Sequence, residues 1–186
     1  MGTGLALGYV LRYLTILKGN NMKKQKGFSL IELLIVVAII LIIAAIAIPN
    51  LLRSKMAANE ASAVGSMRSI NTAEVTYAAS YPDTGYAAGL ANLGGTNAQC
   101  TPPAVAAIAN ACLIDSVLTL GTKSGYNFTA VGGGASPTGV LQTFASTAIP
   151  AVVGTSGQRG FGSSQSGVIY YTLTGVAPTG ASSALQ

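Results

Sequence analysis

The sequence contains one apolar run long enough to cross a membrane, and a single ionisable side chain lies inside it. The run covers residues 28–48, FSLIELLIVVAIILIIAAIAI, and the ionisable residue is Glu32. An α-helix rises about 1.5 Å per residue, so this run spans roughly 31 Å, the thickness of a hydrocarbon core. A carboxylate in that core costs about 2.5 kcal/mol or more. We therefore expect the chain to have a partner for Glu32.

The positive charge of the chain is concentrated before this run. The formal net charge is +5, from ten basic and five acidic residues. Half of the basic residues precede residue 28, and these are Arg12, Lys18, Lys23, Lys24 and Lys26. The five basic residues that follow are balanced by the five acids, so the basic excess does not favour nucleic-acid binding. Basic residues in front of an apolar run keep that end of the chain in the cytoplasm.

Residues 28–81 are predicted to form one long helix with two different halves. Residues 28–48 lack turn signals, which favours a membrane-spanning helix. At Pro49 we expect a kink or a locally unwound segment, because proline removes one hydrogen bond and clashes with the preceding turn. Residues 49–81 carry apolar side chains at helical spacing, namely Met56, Ala63, Met67, Ile70 and Tyr77. This pattern predicts an amphipathic half with the charged residues on its other faces, namely Arg53, Lys55, Glu60, Arg68 and Glu74.

The rest of the chain is predicted to be a β-rich head, which makes the fold class α+β. Residues 82–116 form a connecting region of small residues that begins at Pro82. Residues 117–176 hold short runs of β-forming residues between glycines, which predicts an antiparallel sheet of about four strands packed on the amphipathic half-helix. The expected strands are Val117–Thr122, Tyr126–Val131, Val140–Ser146 and Val168–Thr174, with a turn at residues 132–137. Residues 177–186 are expected to be a flexible tail.

The two cysteines and the missing residue types limit the chemistry of the chain. Cys100 and Cys112 follow the apolar run and so lie outside the cytoplasm, where a disulfide persists. The alternative is a pair of unbridged, buried thiols. There is no histidine, no CxxCH sequence and no set of zinc ligands. Without a nucleophile–base pair or a carboxylate pair, we expect no enzymatic activity and no metal or cofactor.

Two ordinary interpretations of the N-terminal segment leave Glu32 unexplained. A secretory signal peptide would have a Lys-rich start, an apolar core and a cleavage site at Ala45-Ile46-Ala47. A plain single-span anchor would need only the apolar run. Both keep a carboxylate in the hydrocarbon core without a partner for it.

A third interpretation comes from KGFSLIELLIVVAIILIIAAIAIPNLL, residues 26–52. This stretch resembles the cleavage and methylation signature of the type IV filament family, which contains type IV pilins and the pseudopilins of type II secretion. The resemblance covers residues 22–80. It implies a leader that ends at Gly27. Residues 1–21 belong either to a long leader or to an upstream extension, and the compact start Met22-Lys-Lys-Gln-Lys-Gly favours Met22 as the initiator. The resemblance also implies that a prepilin peptidase cuts after Gly27 and methylates the new amino terminus at Phe28.

The same resemblance gives Glu32 its partner. In a filament core, Glu32 of one subunit would pair with the Phe28 ammonium of its neighbour, and this pair would fix the axial stagger between subunits. Breaking a buried pair by removing one partner costs about 3–5 kcal/mol. In this family, the helix around the position of Pro49 loosens when a subunit leaves the membrane for the filament.

The expected function is that of a structural subunit. The resemblance implies a type IVa-like major prepilin that polymerises into a pilus for adhesion, twitching motility or DNA uptake. Its partners would be copies of itself, the prepilin peptidase, the inner-membrane assembly platform and, before assembly, lipid. Its location would change from the bacterial inner membrane to the cell surface.

Two alternatives stay open. One is a pseudopilin of a type II secretion system. Major pseudopilins usually have a calcium site with acidic ligands near the C-terminus, and no Asp or Glu follows Asp115 here. The other alternative is a monomeric, membrane-anchored binding domain, whose function would survive Glu32→Ala.

Overall fold

In the computed structural model, the described residues are 27–101, 106–178 and 183–185. The chain divides into two compact units, Met1–Ala45 and Ile46–Gln186. The boundary between the two units follows Ala45, close to residue 48, where the apolar segment was predicted to end. Apart from Gly27, the predicted leader lies outside the described residues.

The first helix, α1, runs over Leu30–Ser80 and contains Pro49. It starts after Ser29, whose carbonyl oxygen accepts a hydrogen bond from the Leu33 N–H at 3.2 Å. The helix is unbroken through Pro49, so the single chain has no unwound segment at this position. Next to the proline, the Asn50 side chain donates to the Ile46 carbonyl at 3.1 Å. The predicted kink at Pro49 stays a prediction.

Three short helices follow: α2 at Leu90–Leu93, α3 at Asn97–Cys100 and α4 at Ser116–Thr119. The position of α4 contradicts the predicted strand Val117–Thr122. Asp115 caps this helix, because its Oδ1 accepts a hydrogen bond from the Leu118 N–H at 2.8 Å. A side-chain cap of this kind satisfies a free N–H of the first turn and here outweighs the β preference of valine and threonine.

The remaining elements form one antiparallel sheet of six strands in sequential order, where about four strands were expected. The strands are β1 Thr122–Lys123, β2 Tyr126–Ala135, β3 Leu141–Pro150, β4 Gly160–Ser164, β5 Ile169–Thr172 and β6 Ser183–Ala184. The α+β class is confirmed. The predicted strands Tyr126–Val131 and Val140–Ser146 correspond to β2 and β3, and both strands are longer than predicted.

The glycines explain where the strand predictions were wrong. The predicted turn at residues 132–137 lies later, because β2 continues through Gly132, Gly133 and Gly134. A Cβ at Gly132 would lie 2.6 Å from the Ala87 carbonyl oxygen, so this glycine lets the segment between α1 and α2 approach the sheet closely. Strand β4, GFGSS, has Phe161 as its one β-forming residue and was missed. Strand β6 pairs with Tyr170 and Tyr171 inside the stretch that was expected to be a tail.

One face of α1 is buried in the unit formed by residues 46–186. The predicted positions Ala63, Met67, Ile70 and Tyr77 are all buried, and Met56 is half-buried. The four buried residues belong to the same apolar cluster as Tyr126, Phe128 and Phe161 of the sheet. Asn71 adds a polar link, because its Nδ2 donates to Ser163 Oγ of β4 at 2.8 Å.

The prediction that Glu60 and Glu74 lie on the solvent faces of α1 is wrong. Their exposed fractions are 7% and 0%. Both carboxylates therefore require partners within the head, which are described below.

The disulfide between Cys100 and Cys112 is confirmed. It joins the end of α3 to the segment before α4. Replacing both cysteines by serine should lower the free energy of unfolding by about 3 kcal/mol, because the unfolded chain gains the freedom of the opened loop. Urea unfolding of the detergent-solubilised protein measures this loss. Adding dithiothreitol should destabilise the wild type by a similar amount and leave the double-serine variant unchanged, and an unchanged wild type would contradict the prediction.

Candidate functional site

The N-terminal end of α1 places Phe28 and Glu32 at the start of an exposed apolar helix. Gly27 and Phe28 precede the helix in non-helical backbone, and the Phe28 side chain is 81% exposed. Glu32 Oε2 accepts a hydrogen bond from the Ser29 backbone N–H at 2.9 Å. Ser29 is therefore the N-cap residue and Glu32 occupies the third helical position, which gives one half of a capping box.

This cap is a role of Glu32 that sequence reasoning missed, although the Ser-x-x-Glu spacing of Ser29 and Glu32 is its known signal. A carboxylate at a helix N-terminus is also stabilised by the helix dipole. The bond from Ser29 uses one of about four lone-pair positions on the carboxylate, so Glu32 can accept further donors. A cap therefore reduces the cost of the charge without excluding a second partner.

The apolar helix around Glu32 is uncovered. Every Phe, Leu, Ile and Val between residues 28 and 48 is at least 45% exposed. By length and composition, α1 could cross a membrane. So large an apolar surface is not stable in water and requires lipid or other protein around it.

Glu60 holds the loop between β3 and β4 against α1. Its Oε1 accepts hydrogen bonds from the backbone N–H groups of Gln158 and Arg159, at 2.8 and 3.1 Å. Its Oε2 pairs with Arg159 Nε at 2.7 Å. Burial raises the pKa of Glu60, but the bonds from Gln158 and Arg159 outweigh burial and hold the pKa below its ordinary value.

Arg159 is held on its other side by aromatic rings. Its guanidinium lies 5.6 Å from the ring centre of Phe161 and 5.7 Å from that of Tyr171, both within cation–π distance. The second ion pair of the head joins Lys123 to Asp115, with 2.8 Å between Nζ and Oδ2.

Glu74 is the least satisfied charged group in the described part of the head. Its Oε2 accepts a hydrogen bond from the Ala87 N–H at 2.9 Å, and its Oε1 has no partner there. Burial raises the pKa of Glu74 to about 7, although the Ala87 bond acts in the opposite direction. Glu74 therefore changes its charge near neutral pH and not in the acidic range of an ordinary glutamate.

The described residues contain no group of three or more His, Cys, Asp or Glu side chains arranged to hold a metal ion.

Comparison with known proteins places a recognised motif on the N-terminal segment. Residues 22–48 match the prokaryotic N-terminal methylation motif. The chain is 62% identical over 39 residues to the type IV wide pilus major component PilA4 of Thermus thermophilus. It is 43% identical over 54 residues to the type IV major pilin protein PilA of Myxococcus xanthus.

These matches are local. They cover 21% of this chain and 30% of the Thermus protein, and 29% of this chain and 24% of the Myxococcus protein. The chain therefore matches less than a third of the length of either relative. No solved structure matches the chain.

The buried Glu74 predicts an unusual pH dependence of stability. Its pKa in the folded state, about 7, lies above its ordinary value of 4.5. Its stabilising contribution is therefore complete below pH 4.5 and is lost as the pH rises through 7. A shift of this size corresponds to roughly 3 kcal/mol. Glu74→Gln cannot ionise, so it should be more stable than the wild type at pH 8.5.

The measurement is the free energy of unfolding of both proteins at pH 5 and pH 8.5. The advantage of Glu74→Gln should grow between the two pH values. An advantage that is equal at both would show that Glu74 keeps an ordinary pKa in the folded protein.

Proposed function

We propose that this chain, whose N-terminal segment is that of a type IV pilin, is a precursor subunit that polymerises into a type IV pilus. The observation that carries the proposal is Glu32, one carboxylate inside an exposed apolar helix that starts just after Gly27-Phe28. The resulting filament would serve adhesion, twitching motility or DNA uptake. The subunit would be anchored in the inner membrane before assembly and would lie at the cell surface after it.

Processing after Gly27 is the first step of the proposal. A prepilin peptidase would cleave the bond between Gly27 and Phe28 and methylate the amino group of Phe28. The local geometry supports this, because both residues precede the helix and are exposed. Space around Gly27 is also open, since a Cβ added there would meet no atom within 4 Å.

Cleavage creates the partner that Glu32 needs. It leaves an ammonium group on Phe28, four residues before Glu32, and N-methylation keeps the positive charge. The carboxylate of one copy would accept this ammonium from the next copy while its Oε2 keeps the Ser29 bond. Because both groups would be surrounded by apolar side chains, only a stagger that brings them together avoids the cost of an unpaired buried charge.

The exposed apolar helix must be covered both before and after assembly. Before assembly, lipid would cover the side chains of residues 28–48, which are exposed in the single chain. In the filament, the same surface would pack against the helices of other copies. A head-to-tail arrangement that does not close into a ring produces an open helical polymer.

The first test is the identity of the filament subunit. Fibres sheared from the cell surface should contain this chain beginning at Phe28, with a mass about 14 Da above that of the unmethylated product, the increment of one methyl group. Electron microscopy and N-terminal mass analysis measure this. An unpolymerised membrane protein beginning at Met1 or Met22 would contradict the proposal.

The second test removes only the charge of Glu32. Glu32→Gln keeps the size of the side chain but cannot pair with an ammonium, and a lost pair of about 3–5 kcal/mol should reduce fibre yield by at least about a hundredfold. Ser29→Ala is the matched control, because it keeps the backbone N–H that bonds Glu32. Normal yield from Glu32→Gln would show that the Glu32–ammonium pair does not hold the filament together.

A further inference from the structure

Of the nine charged side chains in the unit 46–186, four form ion pairs and one is buried. Glu60 pairs with Arg159, Asp115 pairs with Lys123, and Glu74 is buried. Among the described residues of the unit 46–186, this leaves four exposed charges outside an ion pair: Arg53, Lys55, Arg68 and Asp83. Asp83 is the one carboxylate in this set.

A polar groove lies beside Lys55. It has a volume of about 290 Å³ and is lined by Lys55, Asn59, Ser124, Gly125, Thr155 and Ser156. Hydrogen bonds fix its walls: Asn59 Nδ2 donates to the Ser156 carbonyl at 2.8 Å, and Ser62 Oγ donates to Ser124 Oγ at 2.9 Å. The groove is thus a formed surface that joins α1, the β1–β2 turn and the β3–β4 loop.

The loop that carries Thr155 and Ser156 also has exposed apolar side chains, because Val152 and Val153 are 58% and 49% exposed. The groove itself offers one cation together with hydroxyl and amide groups. Such a lining suits a short protein segment that carries one carboxylate and little other charge.

Asp83 stands on such a segment. The turn at residues 81–85 follows α1 and is closed by hydrogen bonds from the N–H groups of Thr84 and Gly85 to the Tyr81 carbonyl, at 2.9 and 3.0 Å. The base of the turn is attached to β3, because the Leu141 N–H donates to the Thr84 carbonyl at 2.9 Å. Pro82 and Asp83 remain exposed at its tip. A turn fixed in this way loses little conformational entropy on binding.

We propose that the Lys55 groove of one copy binds the Asp83 turn of a second copy. The partner must be another copy, because the helix from residue 55 to residue 80 separates the two surfaces by roughly 38 Å within one chain. The contact joins two different surfaces, so it can repeat from copy to copy along an open filament. The inference rests on the proposed function and names a contact between the heads of the filament.

The test is a charge swap measured as the yield of sheared fibres from cells that make the full-length chain. Asp83→Lys and Lys55→Asp should each lower the yield by about tenfold, because each places like charges together in a repeated contact. The double variant restores opposite charges and should recover at least about half of the wild-type yield. The matched control is Asp83→Lys with Arg68→Asp, which has the same net charge but an unchanged groove and should not recover.

Single variants with normal yield would overturn the inference, as would equal recovery by the Arg68→Asp combination. If wild-type cells make no fibres, the proposed function itself fails, which is a different result.

A second measurement does not depend on the swap. Fibres of the combined variant Lys55→Cys and Asp83→Cys, treated with the thiol oxidant diamide, should give covalent multimers of the subunit. Each single cysteine variant is the control and should stay monomeric. Fibres of the combined variant that yield only monomers would also overturn the inference.

Discussion

The cost of one carboxylate in an apolar helix determines how this chain can be used. Glu32 is surrounded in sequence by side chains that need lipid or protein around them. Its bond to the Ser29 N–H and its place at the positive end of the helix dipole reduce the cost of the charge. A positive group in the same apolar surroundings would lower the remaining cost. Cleavage after Gly27 would create that group, so one ion pair would link processing to polymerisation.

The head also contains buried carboxylates, and their partners lie within the same chain. Glu60 is buried but receives two backbone N–H bonds and a guanidinium, so it is a strong structural tie between α1 and the β3–β4 loop. Glu74 has one bond and one unsatisfied oxygen, so it is held near the boundary between its charged and neutral forms. With two further charges paired at Asp115 and Lys123, the head has few charges left for contacts with other molecules. Because so few charges are left for such contacts, Lys55 and Asp83 are the residues on which the proposed contact between copies depends.

The sequence predicted the features that depend on local pattern. The apolar helix, the buried positions Ala63, Met67, Ile70 and Tyr77, and the Cys100–Cys112 bridge follow from composition and spacing. It did not predict partners that are distant in the chain. Glu60 was expected to face solvent because its partner Arg159 lies 99 residues away in the chain. Glu74 was expected to face solvent because the backbone N–H that bonds it belongs to Ala87, beyond the end of α1. The predicted strand at residues 117–122 was wrong because the Asp115 side chain caps a short helix there.

The central claim is that Glu32 of one subunit pairs with the amino terminus of the next. A cryo-electron microscopy map of the filament at side-chain resolution tests it most directly. The account predicts that the nitrogen of processed Phe28 lies about 3 Å from a Glu32 carboxylate oxygen of a neighbouring subunit. A filament in which these two groups are more than about 6 Å apart, with Glu32 bonded elsewhere, would contradict it.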